Sequence, residues 1–341
     1  MAKTLHPAPP GNTTPKRLPA SRTTAAYVLR RCGYGVVVVF SVYTLSFFLL
    51  YALPSDPVAL MLERRSAGAG GGTAEQVAAL RAQYGLDQPL FVRYLDTLGQ
   101  LLRWDLGTSF QSGKPVPEVL AAVAPNTISL AAGGLALAVP LSLALALATS
   151  WRRDGFLHRT LVNVPALIAS IPAFWLGLLL VQLFSFTLGW VPSAGGTGLS
   201  GLVLPAVALA FPVSASLTAV LVRSLDDVQQ AAFVELLRAR GLPWGRVYLA
   251  HVVRNALLPF VTLAGLTVGG VLVGTVITET VFARAGLGRL LASSVETQDA
   301  PVILAIAVLA ALVFAAVNLA VDLLYPVLDP RTRHRSGGVP A

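Results

Sequence analysis

Charge is scarce in this chain. Only 12% of its 341 residues are Asp, Glu, Lys or Arg, while 55% are hydrophobic; ordinary soluble domains carry about 25% charged residues. That little charge cannot cover the surface of a water-soluble fold of this size, so lipid must be the solvent for much of the chain. Cysteine is nearly absent. Cys32 stands alone, which excludes an intrachain disulfide as a brace for the loops. The phosphate-cradling pattern G-x-x-x-x-G-K-[ST] is missing: its nearest approach, Gly107 to Gly113-Lys114, has the wrong spacing and runs into Pro115. No H-E-x-x-H occurs, and His6, His158, His251 and His334 fall in tails and loops, unpaired within any short motif. The pattern offers no metal site, no catalytic triad and no cofactor site, so the chain reads as a non-enzyme.

What is abundant is uncharged, apolar sequence. Windows free of Asp, Glu, Lys and Arg cover 32–55, 119–151, 160–222, 255–278 and 300–321. A bilayer core of roughly 30 Å takes about 20 apolar residues to cross as a helix. The third window is long enough for two crossings. Its middle, 187–200, is dense in Gly, Pro and Ser and reads as a turn, with Trp190 suited to a membrane–water interface. No alternation of the kind a membrane barrel strand needs is present. The reading is all-α, a polytopic membrane protein with six transmembrane helices near 34–53, 127–149, 161–186, 201–222, 259–278 and 300–325.

Basic residues orient those spans. With the N-terminus inside, the inner segments hold Arg30 and Arg31, Arg152, Arg153 and Arg159, then Arg223, Arg238, Arg240, Arg246 and Arg254, then Arg331, Arg333 and Arg335. Most outer-side basic residues lie in one long loop, 54–126, where Asp56, Glu63, Glu75, Asp87, Asp96, Asp105 and Glu118 balance them. Long loops cross membranes largely regardless of charge. Both termini are therefore expected in the cytoplasm of a cell-membrane protein. Topology accounts for the net charge of +9 without nucleic acid. Residues 1–31 read as a polar, disordered tail before an uncleaved first span, 32–333 as the membrane domain, and 334–341 as a second cytoplasmic tail. Within the outer loop, 66–72 is almost all small residues and reads as a flexible insert.

The loop 223–258 is the most informative segment. Phe233, Leu236 and Leu237 fall at i, i+3, i+4 and make a short apolar stripe, with Glu235, Arg238, Arg240 and Arg246 around it. Gly241 is a natural helix stop, and Pro243 fits just inside the next helix start. The pattern predicts a short amphipathic helix, a tight turn and a second helix. Such a helix can rest on headgroups, pack against the bundle or dock a cytosolic partner.

Inside the spans, Asp322 is the one acid, one turn beyond Asn318. The pair serves either as a proton or ion relay or as a polar clasp between helices. Gly265 and Gly269 form one G-x-x-x-G and Gly270 and Gly274 another, read as close helix packing or as substrate contact.

Several segments together resemble the permeases of dipeptide, oligopeptide and nickel ABC importers. They include Leu53-Pro-Ser-Asp-Pro-Val58, Gly85-Leu-Asp-Gln-Pro-Leu90 with Tyr94, Asp105-Leu-Gly-Thr-Ser-Phe110 and Ser170-Ile-Pro-Ala-Phe-Trp-Leu-Gly177. Gly189-Trp-Val-Pro192, Arg238-Ala-Arg-Gly-Leu242, His251 and Arg254-Asn-Ala-Leu-Leu-Pro259 follow, then Glu279-Thr-Val-Phe282, Gly286-Leu-Gly-Arg-Leu290 and Asp329-Pro-Arg331. The departures are Ser55 for Gly, Ala232 for an acid, Leu237 for a small residue, and Arg284-Ala285 for Ser-Pro. The resemblance implies a type I permease fold. It implies that loop 223–258 holds the coupling helix, which inserts into a groove of a cytosolic ATPase subunit. Its implied partners are those ATPase subunits, a second permease subunit and an extracytoplasmic substrate-binding protein, with inward transport of peptides or a similar small solute. The competing readings are an ion-coupled secondary transporter, which needs titratable groups at mid-depth, and an intramembrane hydrolase, which needs a nucleophile and base inside the bundle.

Overall fold

The computed structural model describes residues 20–52, 78–79, 87–152, 155–192 and 198–328. Of the expected tail 1–31, residues 20–31 are described and are helical, the opening turns of α1 rather than a disordered segment. Residues 1–19, the tail 334–341, the insert 66–72, Leu53 to Val58 and Asp329-Pro-Arg331 lie outside the described residues. The described residues form helices, with one isolated bridge between Thr108 and Pro115.

In chain order these are α1 (Ala20–Ala52), α2 (Leu90–Leu102), α3 (Val116–Ser150), α4 (Phe156–Leu161), α5 (Val164–Ala169) and α6 (Ala173–Leu180), which continues as a π-helical stretch to Thr187. Next come α7 (Ser200–Gln229), α8 (Ala232–Ala239), α9 (Trp244–Val247), a π-helical stretch Tyr248–Val253, α10 (Arg254–Val281), α11 (Leu287–Thr297) and α12 (Ala300–Leu328). Five stretches are long and apolar enough to cross a membrane: Val28–Tyr51, Val116–Ser150, Ser200–Gln229, Trp244–Val281 and Ala300–Leu323. The stretches His158–Ala169 and Ala173–Thr187 meet the same test only as a pair, bent by 98°. The bend has a local cause. Pro172 has no N–H to give and its ring clashes with the carbonyl four residues back, so the chain turns extended there, at φ −60° and ψ 132°.

The helices differ in length from the expected spans because charge does not stop a helix where it leaves the lipid. α7 runs on through Arg223, Asp226 and Asp227, and the helical path into α10 begins at Trp244. The turn between them shrinks to 230–243 and contains a single short helix. α3 starts ten residues earlier than the polar boundary at Asn126 and carries Pro125 and Pro140 inside it.

The centre is α3 on α7, with α10 packed against both; α11 and α12 lean on α10, and α1 lies outermost against α12. Small residues permit the close approaches. A Cβ on Gly134 would sit 2.8 Å from Leu209 of α7, and one on Gly274 of α10 3.0 Å from the same Leu209. The bundle therefore has two ends. One carries α8. The other, beyond the C-terminus of α10, carries α11, the loop 103–115 and α2.

Candidate functional site

The end with α8 is built on the last turn of α3. A helix leaves its final carbonyls without intrahelical partners, and here side chains supply them. The hydroxyl of Tyr248 donates to the Leu147 carbonyl at 3.2 Å, and the Gln229 amide donates to the Ser150 carbonyl at 2.8 Å. The Trp244 indole N–H donates to the Trp151 carbonyl at 2.9 Å, and the His158 ring Nδ1 lies 3.2 Å from the Thr149 carbonyl. Gln229 precedes α8 in the chain, and Trp244 and Tyr248 follow it. Both ends of the short turn are thus fastened to one helix terminus. The Trp151 and Trp244 rings pack on Tyr248, with centroids 5.1 and 5.7 Å away. Tyr248 is itself fully buried.

On this base α8 splits into two faces. Val234 is buried at 2% exposure, and Leu237 is half-buried against the same apolar cluster as Leu221, Leu225 and Val247. Full burial of a side chain such as Val234 contributes roughly 1.5–3 kcal/mol, and the half-buried Leu237 adds less. Phe233 and Leu236 point away, 39% and 54% exposed, with Glu235, Arg238 and Arg240 also exposed. The expected stripe of Phe233, Leu236 and Leu237 is therefore divided. Leu237 holds the helix down with Val234, a residue the sequence reading passed over, and Phe233 and Leu236 form the outward apolar pair. The guanidinium of Arg238 sits 5.6 Å over the Trp244 ring, which packs a charged side chain onto the brace.

Gly241 ends α8 with φ +83°. Its N–H donates to the Arg238 carbonyl at 2.9 Å, and the Leu242 N–H donates to the Leu237 carbonyl at 3.3 Å. This is the Schellman arrangement, and Leu237 and Leu242 both pack against the same apolar cluster. Pro243 stands one residue outside the next helix, as its N-cap.

The opposite end has its own polar anchors. Glu279, fully buried in the last turn of α10, accepts from the Thr127 hydroxyl of α3 at 2.6 Å. Its other oxygen accepts from the N–H groups of Gly288 and Arg289 at 2.7 and 3.1 Å, at the start of α11. A carboxylate there satisfies the orphan donors of the helix and complements its dipole. Thr127 also accepts from the Leu287 N–H at 2.7 Å, and Asn126 donates to the Ala285 carbonyl at 2.7 Å. Arg284, where the resembled family has Ser, donates to the Gly201 carbonyl and to Ser129. Asp299, 2% exposed, accepts from the Ser109 hydroxyl and the Phe110 N–H and so ties 105–110 to α12. The motifs Asp105 to Phe110, Glu279 to Phe282 and Gly286 to Leu290 are therefore parts of two clasps. Asp322 is not the one acid in the spanning stretches: Glu118, Asp226 and Asp227 lie near the ends of α3 and α7, and Glu279 lies buried in α10, just beyond the charge-free window that ended at Thr278.

The remaining candidates fall on helix contacts. Asp322 of α12 lies 3.0 Å from the Nε of Arg31 in α1, whereas Asn318 donates within its own helix, to the Phe314 carbonyl. A Cβ on Gly265 would meet Val321 at 2.6 Å and one on Gly269 would meet Phe314 at 2.9 Å, both on α12. Gly270 faces open space, and Gly274 faces α7.

A family model described as the binding-protein-dependent transport system inner membrane component matches residues 138–334. A second, for the N-terminal part of such membrane components, matches 25–131. The chain is 36% identical over 309 residues to the glutathione transport system permease protein GsiC of Salmonella typhimurium, covering 91% of this chain and 99% of that one. It is 33% identical over 321 residues to the oligopeptide transport system permease protein AppB of Bacillus subtilis, covering 91% and 100%. It is also 33% identical over 317 residues to a Brucella abortus protein whose name assigns it to a peptide transport system as permease, covering 91% and 99%.

Proposed function

The chain belongs to the family of binding-protein-dependent transport system inner membrane components, and from that premise we propose that it carries peptides or a similar small solute inward by alternating access, driven by ATPase subunits that dock on α8. It is a multi-pass membrane protein and a permease subunit of an ABC importer. The family assignment favours this over an ion-coupled transporter.

The observation that carries the docking reading is the shape of the α8 end. Phe233 and Leu236 stand outward, while the helix root is locked by Val234, Leu237 and the Gly241 turn. A groove on a partner that takes these two side chains grips a rigid lever. Movement of the lever reaches α3 through Gln229, Trp244 and Tyr248, which hold its last carbonyls. It reaches α10 by direct helical continuity from Trp244. Arg238 and Arg240 border the outward pair and suit an acidic rim on the partner.

The α8 end is placed in the cytoplasm, with both termini, because the basic residues gather there. A second permease subunit and an extracytoplasmic binding protein complete the assembly. The relatives' names point to peptides, and the sparse charge of the spans is compatible with a zwitterionic or neutral cargo; nickel chelates are the second candidate. The test is to identify the proteins that co-purify with the tagged chain and to measure the binding of peptides and nickel chelates by the recovered binding protein. Recovery of ATPase subunits together with peptide binding supports the reading. A complex without an ATPase refutes it.

A further inference from the structure

We infer that α2 is an interfacial helix that lies in the outer-leaflet surface of the membrane, with one apolar sector in lipid and one polar sector in water. Three sectors follow from 100° per residue. The packed sector holds Tyr94, Thr97, Leu98 and Leu101, which join Tyr43 and Phe47 of α1 and Leu304 and Val308 of α12. The second sector holds Phe91, Leu95 and Leu102, which are 66%, 50% and 76% exposed, with Val92 at its edge. The third holds Arg93, Asp96, Gln100 and Arg103. Arg93, Asp96 and Gln100 line a cavity of about 660 Å³ shared with Tyr51 and Asp105.

Exposed apolar residues concentrated on one side, with charges beside them, match the pattern of a helix lying in a membrane surface. The occupant is lipid rather than protein because of where α2 sits. The hydroxyl of Tyr43 donates to Thr97 at 2.7 Å, and Thr44 and the Tyr94 hydroxyl are 2.9 Å apart. Tyr43 and Thr44 lie roughly 11 Å short of Tyr51 along α1 at 1.5 Å per residue, inside the apolar stretch that ends at Tyr51. Interfacial helices sink about 5–10 Å into the headgroup–acyl boundary, and the level of α2 below the end of the α1 apolar stretch is of the same order. Its apolar sector also continues a lipid-facing surface. Phe48 of α1, 40% exposed, stacks on Tyr94 with centroids 5.4 Å apart, and Leu45 and Leu49 beside it are 72% and 67% exposed. Trp104, 79% exposed just past the helix, suits the interface as an anchor.

The leaflet named rests on the orientation proposed above; the immersion does not. The test uses the full chain with Cys32→Ser, reconstituted in vesicles of phosphatidylethanolamine and phosphatidylglycerol. A nitroxide is placed at Phe91→Cys, Leu95→Cys or Leu102→Cys, and at Asp96→Cys or Gln100→Cys. Collisions are measured with oxygen, which concentrates in lipid, and with nickel–EDDA, which stays in water. Labels in the first group are expected to collide more with oxygen and those in the second more with the nickel complex. The inference is overturned if the first group meets the nickel complex freely. It is also overturned if that group meets neither reagent, which would mean cover by residues 53–86 or by another protein. An impermeant maleimide on sealed vesicles of known sidedness reports the leaflet separately through Asp96→Cys. Reaction from the cytoplasmic side alone would refute the orientation while leaving the immersion intact.

Discussion

The indole N–H of Trp244 donates to the backbone carbonyl of Trp151 at 2.9 Å, so the residue that restarts the helix after α8 is bonded to the residue that ends α3. The bond joins the turn that bears the exposed apolar pair to the central helix of the bundle. Trp244→Phe keeps an aromatic ring under Arg238 and against Tyr248, and removes the N–H donor together with part of the ring packing. A hydrogen bond of this kind contributes about 0.5–1.5 kcal/mol, too little to prevent insertion. The expected outcome is normal abundance in the membrane and normal ATPase association, with less transport per ATP hydrolysed in reconstituted vesicles. An unchanged transport-to-hydrolysis ratio would remove Trp244 from the path.

Glu279 should behave as a fixed anchor. Glu279→Ala strands Thr127 and the first N–H groups of α11 in a site with no solvent access. Bonds to a charged group are worth roughly 1.5–3 kcal/mol each. Membrane abundance and thermal stability in detergent are expected to fall together, with Glu279→Gln intermediate. Gly286→Ala should do the same, because its Cβ would run into the Glu279 carboxylate.

The glycines of α10 should separate by direction. Gly269→Leu drives a side chain into Phe314 and Gly265→Leu one into Val321. Both are expected to lower the melting temperature in detergent. Gly270→Leu meets open space and should leave it unchanged in the isolated chain. A loss of transport at Gly270 alone would then mark a surface used by another subunit or by substrate.

The Arg31–Asp322 pair spans α1 and α12, with its side chains 40% and 22% exposed. The pair sits at the ends of the two apolar stretches, within reach of headgroups and water, which keeps its contribution to about 0–1 kcal/mol. Asp322→Asn should therefore cost little stability, and transport should persist. Abolished uptake with intact abundance would favour the relay reading of Asp322.

How much of this was legible beforehand depended on whether the signal was local. The apolar windows revealed the crossings because hydropathy is a property of each residue alone. The bend at Pro172 was written in its own motif, yet 161–186 read as a single span, because Pro is common in membrane helices. The Gly241 turn could be read from residue type. The division of α8 could not: Phe233, Leu236 and Leu237 share a stripe by spacing, and only the position of α7 and α9 decides that Leu237 points in with Val234. Glu279 was quoted in a motif, but its partner Thr127 lies 152 residues away. No local pattern names a partner at that distance.

The central claim is that the Gly241 turn sets α8 for an ATPase partner. No atom stands within 4 Å of where a Cβ on Gly241 would be, so a larger residue meets backbone strain and nothing else. At φ +83° a non-glycine residue costs roughly 1–2 kcal/mol, with Asn tolerated better than a β-branched residue. The decisive measurement compares Gly241→Val with Gly241→Asn for membrane abundance, ATPase co-purification and solute uptake in the same cells. The account predicts near-normal abundance in both, lost uptake and weakened co-purification for Gly241→Val, and substantial retention of both for Gly241→Asn. Uptake and co-purification left intact by Gly241→Val would contradict it.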